Sequence, residues 1–279
     1  MLTDAHCHLY DLESFFPEFE QERVRYGVLT AASACGINEF AHNENISRNA
    51  AVQGAAPVFL CFGIHPQLFK VRNNEQLTDN NKHLISNTDF HNDRKLLEFL
   101  ELLASEKRIA AVGEIGFDLF NAAFKETEAE QRRVFEEQLE IALHYNLPVV
   151  LHIRRAMNKV FSYLKQLSKC KAVIFHSWQG TYDEGLSFLK RGVNAYFSFG
   201  NTIILNHKKA MKSCAILPSE RLLTETDAPY QPRRGEAFSQ WQDLPVILEA
   251  AANLRNEAGN KTYIHEIEKQ IELNFRKIF

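Results

Sequence analysis

Cysteine is scarce and shows no pairing pattern. The five present, Cys7, Cys35, Cys61, Cys170 and Cys214, are odd in number and include no Cys-x-x-Cys. That argues against a disulfide framework and a thiolate zinc site, and fits a reducing, cytoplasmic setting. Long apolar runs are missing too. No stretch approaches the about 18 consecutive apolar residues of a membrane span, and the first residues form no basic-then-apolar leader, so an unexported chain without a membrane helix is expected. Glycine (12) and proline (8) never gather into a linker, and no repeat or low-complexity tract divides the chain, so residues 1–279 are read as one domain. Neither sign of charge dominates: 32 Lys and Arg against 35 Asp and Glu give −3, so a polyanion would have to be held by a local patch or by metal ions.

What is present is a core and a series of strands. Hydrophobic residues make up 45% of the chain, enough to bury a large globular interior. Eight short apolar runs read as strands: Leu2–Leu9, the run from Tyr26, Pro57–Gly63, Ile109–Asp118, Pro148–Arg154, Ala172–Trp178, Val193–Phe199 and Arg221–Asp227. Helical periods follow most of them, including Cys35 to Gly54, Asp93 to Lys107, Glu126 to Tyr145, Tyr182 to Arg191, Asp243 to Ala258 and Ile264 to Ile278. Residues 13–25 are mixed, and the polar, Asn-rich stretch 67–93 reads as a long loop. Near-continuous apolar strands alternating with helices predict an α/β fold, a parallel (β/α)8 TIM barrel.

The first strand carries His6 and His8, and residues two apart on a strand share a face, so the two imidazoles form half a metal site. Ligand-type residues also end other strands: Glu114, His152, His176 and Asp227. Barrel active sites are built at that rim. Six such groups are costly to bury unless mutually satisfied, and imidazoles with carboxylates are what borderline divalent metals accept. Six ligands exceed one tetrahedral shell, so two divalent ions (Mg, Mn or Zn) about 3.5 to 4 Å apart are expected. One takes His6, His8 and Asp227, the other His152 and His176, with Glu114 as bridge. Water acidified there becomes a nucleophile, Asp227 orients it and takes its proton, and hydrolysis follows as the reaction class.

Six motifs carry a family resemblance: Asp4-Ala-His-Cys-His, Gly63-Ile-His-Pro, Gly113-Glu-Ile-Gly-Phe-Asp, Pro148-Val-Val-Leu-His-Ile-Arg, His176-Ser-Trp-Gln-Gly and Thr224-Glu-Thr-Asp-Ala-Pro-Tyr. In that order they resemble the TatD family of metal-dependent deoxyribonucleases, and Leu273–Phe279 looks like the family's usual ending. The resemblance implies a metallo-dependent hydrolase barrel, divalent metals, and hydrolysis of DNA phosphodiesters, often from the 3' end of single strands. It places His6, His8, Glu114, His152, His176 and Asp227 as metal ligands, His65 as a phosphate contact and Arg154 as a nearby basic residue in substrate binding. The chain departs from the pattern in Ser177-Trp-Gln after His176, in Arg155 where an acidic residue is common, in the short Gln231-Pro-Arg-Arg-Gly-Glu stretch, and over 67–93.

Several residues carry two readings each. His65 contacts phosphate or merely ends a strand before Pro66. Arg154 meets substrate or pairs with a rim carboxylate. Asp118 orients a ligand histidine or caps the surface. Arg233 and Arg234 grip a phosphate backbone or are solvated; Trp178 stacks a base or packs in the core; Glu225 reaches the site or pairs with a lysine. Two other functions compete with DNA hydrolysis: a metal-dependent hydrolase of a carboxyl ester, lactone or amide, and a catalytically silent metal-binding barrel. DNA is the expected partner, with no membrane and no obligate protein partner in view.

Overall fold

The structure, a computed structural model, describes residues 1–69 and 92–279. The loop expected over 67–93 lies almost wholly outside the described residues. The chain runs β1 (Thr3–Cys7), α1 (Leu9–Phe15), α2 (Phe19–Tyr26), β2 (Leu29–Ala34), α3 (Ile37–Gln53), β3 (Val58–Phe62), α4 (Asp93–Ser105), β4 (Ala111–Asp118), α5 (Ala122–Glu126), α6 (Glu128–His144) and β5 (Val149–Arg154). It continues α7 (Met157–Phe161), α8 (Leu164–Leu167), β6 (Val173–Phe175), α9 (Tyr182–Lys190), β7 (Ala195–Phe199), α10 (Lys208–Ile216), β8 (Leu222–Thr224), α11 (Asp243–Glu257) and α12 (Ile264–Ile278). The mixed segment 13–25 thus contains most of α2, and the helix expected from Glu126 to Tyr145 is α6, with the short α5 preceding it.

All eight strands pair in parallel, in chain order from β1 to β8. Main-chain bonds past the end of β8 draw the two edges together: Asp227 N–H donates to His6 O (3.0 Å) and His8 N–H to Ala228 O (2.7 Å). The result is the nearly closed TIM barrel that the strand pattern predicts. Inside it, Ala5, Ala31, Cys61 and Ala111 from β1–β4 face the larger Val150, Ile174, Tyr196 and Leu223 from β5–β8. The buried stripe of α12, Ile267, Ile271, Phe275 and Ile278, recurs at helical spacing. Phe275 and Ile278 join the interior cluster and close its floor, with the Phe275 ring 5.4 Å from that of Phe59.

Two register slips re-aim the strands. Between Asp4↔Thr30 and Cys7↔Ala32, β1 advances three residues while β2 advances two, and β4 does the same against β5 between Val112↔Val149 and Ile115↔Leu151. An extra residue in one strand exchanges inward and outward positions beyond it. Hence Ala5 lies in the interior while Cys7 joins the layer under the helices, and Ala111 lies in the interior while Ile115 and Phe117 face the helices.

β8 is shorter than the sequence suggests. Strand geometry stops at Thr224, because Thr226 N–H turns to the Asp4 carboxylate (2.9 Å) and Asp227 adopts a left-handed φ of 54°. β6 likewise ends at Phe175, before Ser177 at φ 44°. No helix among the described residues is long and apolar enough to cross a membrane.

Candidate metal centre

The site forms where strands end. His6 lies in β1 within its slip, His8 just past the strand, Glu114 within the slip in β4, His152 in β5, His176 directly after β6 and Asp227 three residues after β8. The slips in β1 and β4 turn His6, His8 and Glu114 into the mouth. Glu114 sits at the centre, divided between two sides. Its Oε2 is 3.1 Å from His6 Nε2 and 3.5 Å from His8 Nε2. Its Oε1 is 2.6 Å from His152 Nδ1, 2.8 Å from His176 Nε2 and 3.3 Å from His65 Nε2. Asp227 Oδ1 lies 3.5 Å from His6 Nε2 and 3.6 Å from His8 Nε2.

All six residues read from the sequence as ligands therefore converge, and His65 converges with them. Among the described residues, three groups have donor atoms within 4.8 Å of one another: His6, His8 and Asp227; His6, Glu114 and His176; and His65, Glu114 and His152. A set of imidazole nitrogens and carboxylate oxygens this close, buried at a barrel mouth, fits divalent cations chemically.

Around the donors stands a shell of orienting groups, as ligand histidines generally require. Asp118 is fully buried; its Oδ2 is 3.2 Å from His152 Nε2 and accepts from Gln67 Nε2 at 2.7 Å. It orients a histidine rather than capping the surface. Ser33 Oγ lies 3.2 Å from His6 Nδ1. Glu225, also buried, accepts from Ser177 N–H (2.5 Å) and lies 3.6 Å from His176 Nδ1, so it reaches the site rather than a lysine. Asp4 ties β1 to the Asp227 loop, accepting from Thr226 Oγ1 at 2.6 Å. Gln131 and Gln138 on α6 hold the main chain at Asp118 (2.9 Å) and Ile64 (2.6 Å).

Asp4, Ser33, Gln131, Gln138 and Gln231 carry no role in the sequence reading. For the two glutamines a signal existed: both are buried amides on the same inner stripe as Phe135 and Leu139, where an apolar residue would otherwise stand.

The electrostatics follow from crowding. Burial pushes the Glu114 carboxyl up, but His176, His65, His6 and His152 together outweigh it and hold it well below the usual range. Burial opposes charge on His8, yet its bond to Asp227 and the charges of Glu114, Asp227 and Asp11 raise it to about 9. His176 is raised for similar reasons, chiefly by Glu114 against burial. His6 and His65 are lowered, burial being the largest cause. Asp118 is held at about 2, because the His152 bond and charge outweigh burial. Ser177, Arg155, Asp227 and Gln231 all take left-handed backbone, with φ from 44° to 55°. Such conformations cost about 1 kcal/mol or more each and persist where the surroundings over-determine them.

A cavity of about 1290 Å³ opens onto the donors and is also lined by Phe120, Arg154, Arg155, His207 and Lys209. Arg154 is half-exposed, its guanidinium carbon 3.8 Å from the Phe120 ring centroid and a nitrogen 3.9 Å from Asp118 Oδ2. Trp178 packs against Phe175 and Phe197 and is a core indole. Arg233 pairs with Asp243 at 2.6 Å, while Arg234 is exposed.

A nearly closed parallel barrel with an imidazole and carboxylate cluster at its C-terminal mouth defines the class of metal-dependent hydrolase barrels. Within it, the chain belongs to the TatD related DNase family, whose model matches residues 3–279. An uncharacterized metal-dependent hydrolase from Mycoplasma genitalium is 29% identical over 286 residues, covering 99% of this chain and 98% of that one. A protein named 3'-5' ssDNA/RNA exonuclease TatD, from Pantoea ananatis, is 32% identical over 191 residues, 64% of this chain and 69% of the relative. The crystal structure of YjjV, a TatD homolog from Escherichia coli K12, superposes with a TM-score of 0.78 at 25% identity, covering 100% of this chain and 97% of that one.

Proposed function

We propose that the chain is a two-metal phosphodiesterase that shortens single-stranded DNA from its 3' end. The observation that carries this reading is the split of Glu114, with Oε2 toward His6 and His8 and Oε1 toward His152 and His176. A carboxylate so divided suits a bridge between two cations. His6, His8, Asp227 and Glu114 would hold one; His152, His176 and Glu114 would hold the other. When bound, such ions neutralise charge on a phosphoryl oxygen and acidify water.

The chain's own groups do the rest. Asp227 keeps Oδ1 on the cluster, where it orients the attacking water and accepts its proton. His65 and Arg154 bind the phosphate, one beside Glu114 and the other at the cavity wall. Asp118 fixes the His152 ring and Glu225 backs His176. The cavity is larger than the about 300–1,000 Å³ of a typical small-molecule pocket, which suits a chain substrate. Relatives named as 3'-5' ssDNA/RNA exonucleases support the same substrate class. We place the enzyme in the cytoplasm, where its five free, buried cysteines would stay reduced.

The test is an assay with 5'-labelled single-stranded DNA and Mg2+ or Mn2+. Stepwise shortening that disappears in His152→Ala is expected. Intact DNA with every divalent ion, alongside turnover of a carboxyl ester, would replace this reading with carbonyl hydrolysis.

A further inference from the structure

We infer that Gln231, locked by Ser177, is a positioning residue that fixes which oxygen of Asp227 faces the donor cluster. The inference rests on the two-metal reading for its catalytic meaning, but its geometry stands apart from the choice of substrate. Gln231 Nε2 donates to Asp227 Oδ2 at 2.5 Å, while Oδ1 points at His6 and His8. The amide can hold only this orientation, because turning it over would set two acceptor oxygens against each other.

Two further contacts hold the amide still, and a third holds the backbone of the same residue. Its Nε2 reaches Ser177 Oγ at 2.9 Å, and Ser177 Oγ donates to its Oε1 at 3.1 Å. Asn201 Nδ2 donates to the Gln231 carbonyl (3.1 Å) and to Asp243 Oδ2 (3.0 Å), anchoring the loop to α11. Ser177 N–H in turn binds Glu225, the carboxylate behind His176. A continuous path, Asp227–Gln231–Ser177–Glu225–His176, therefore joins the loop after β8 to the loop after β6. A carboxylate without such an anchor rotates about its terminal bond and trades one oxygen for the other. Gln231 removes that freedom before substrate arrives, which is the pre-organisation that outer-shell partners supply.

The test compares Gln231→Met, similar in size but without a donor, with Ser177→Ala and the double variant. Each is titrated with Mn2+ by calorimetry and assayed on labelled single-stranded DNA. Gln231→Met should weaken Mn2+ binding and lower kcat by about tenfold or more, with KM within about twofold and an unchanged melting temperature before metal is added. Ser177→Ala should lose less, and its loss should vanish in the Gln231→Met background. Wild-type Mn2+ affinity in Gln231→Met, or losses that simply add in the double variant, would overturn the inference. Should Gln231→Met fail to fold, Ser177→Ala decides, and wild-type Mn2+ affinity there overturns it. Because the titration needs no turnover, a wild-type protein inert on DNA sinks the nuclease reading while leaving this inference to be judged by metal affinity.

Discussion

Among the described residues, Glu114 is the one carboxylate that faces five imidazoles, so its loss cannot be shared among neighbours. Glu114→Gln should weaken Mn2+ binding by more than the about 10- to 100-fold typical of an outer-shell partner, read by calorimetry. Asp118 acts one layer out and leaves a pH signature. Its folded pKa, about 2, lies below the ordinary 3.8. The stability it contributes is therefore present above the unfolded value and fades as pH falls through the folded one. In metal-free protein, Asp118→Asn should cost about 2 kcal/mol at neutral pH. Urea midpoints of variant and wild type should converge between pH 4 and pH 2. The six donors were legible because each closes an apolar run with a metal-binding group. Gln231 and Asp4 were not, since they act through Asp227 and Thr226, and nothing in their local sequence announces the partner.

Strands were legible as apolar runs, and the common face of His6 and His8 follows from alternation alone. Which face it is does not. That depends on the extra residue that β1 carries against β2, a property of pairing that neither strand holds by itself. The same is true of Glu114 in β4. The ends of β6 and β8 were over-extended because His176-Ser-Trp and Glu225-Thr-Asp follow their apolar runs directly, and nothing in those residue types announces that Ser177 and Asp227 take left-handed backbone. Close approach of β4 to β5 gives a sharp prediction. Gly116 has φ +142°, and a Cβ there would lie 2.1 Å from the His152 carbonyl oxygen. Gly116→Ala should destabilise by about 3 kcal/mol or more by urea titration. Because His152 must shift, Mn2+ affinity should fall with it.

Eight alternating strand and helix segments made the barrel legible from sequence. Its seam was not, because the bonds that draw β8 to β1 fall among coil residues past β8. The finished cylinder separates two tasks. Phe275 and Ile278 seal the floor, whereas the donors occupy the mouth. Phe275→Ala should cost about 3–5 kcal/mol of stability. Mn2+ at about 100 times its dissociation constant should add about 2.7 kcal/mol for each ion bound, in wild type and variant alike, and EDTA should remove it. A smaller increment in Phe275→Ala would mean that floor and mouth are coupled.

The slips in β1 and β4 carry a lesson for transplantation. Copied position for position onto an idealised, evenly paired barrel, His6, His8 and Glu114 would emerge on the outer wall, beneath the surrounding helices. An engineer borrowing this centre must import its misalignments along with its ligands.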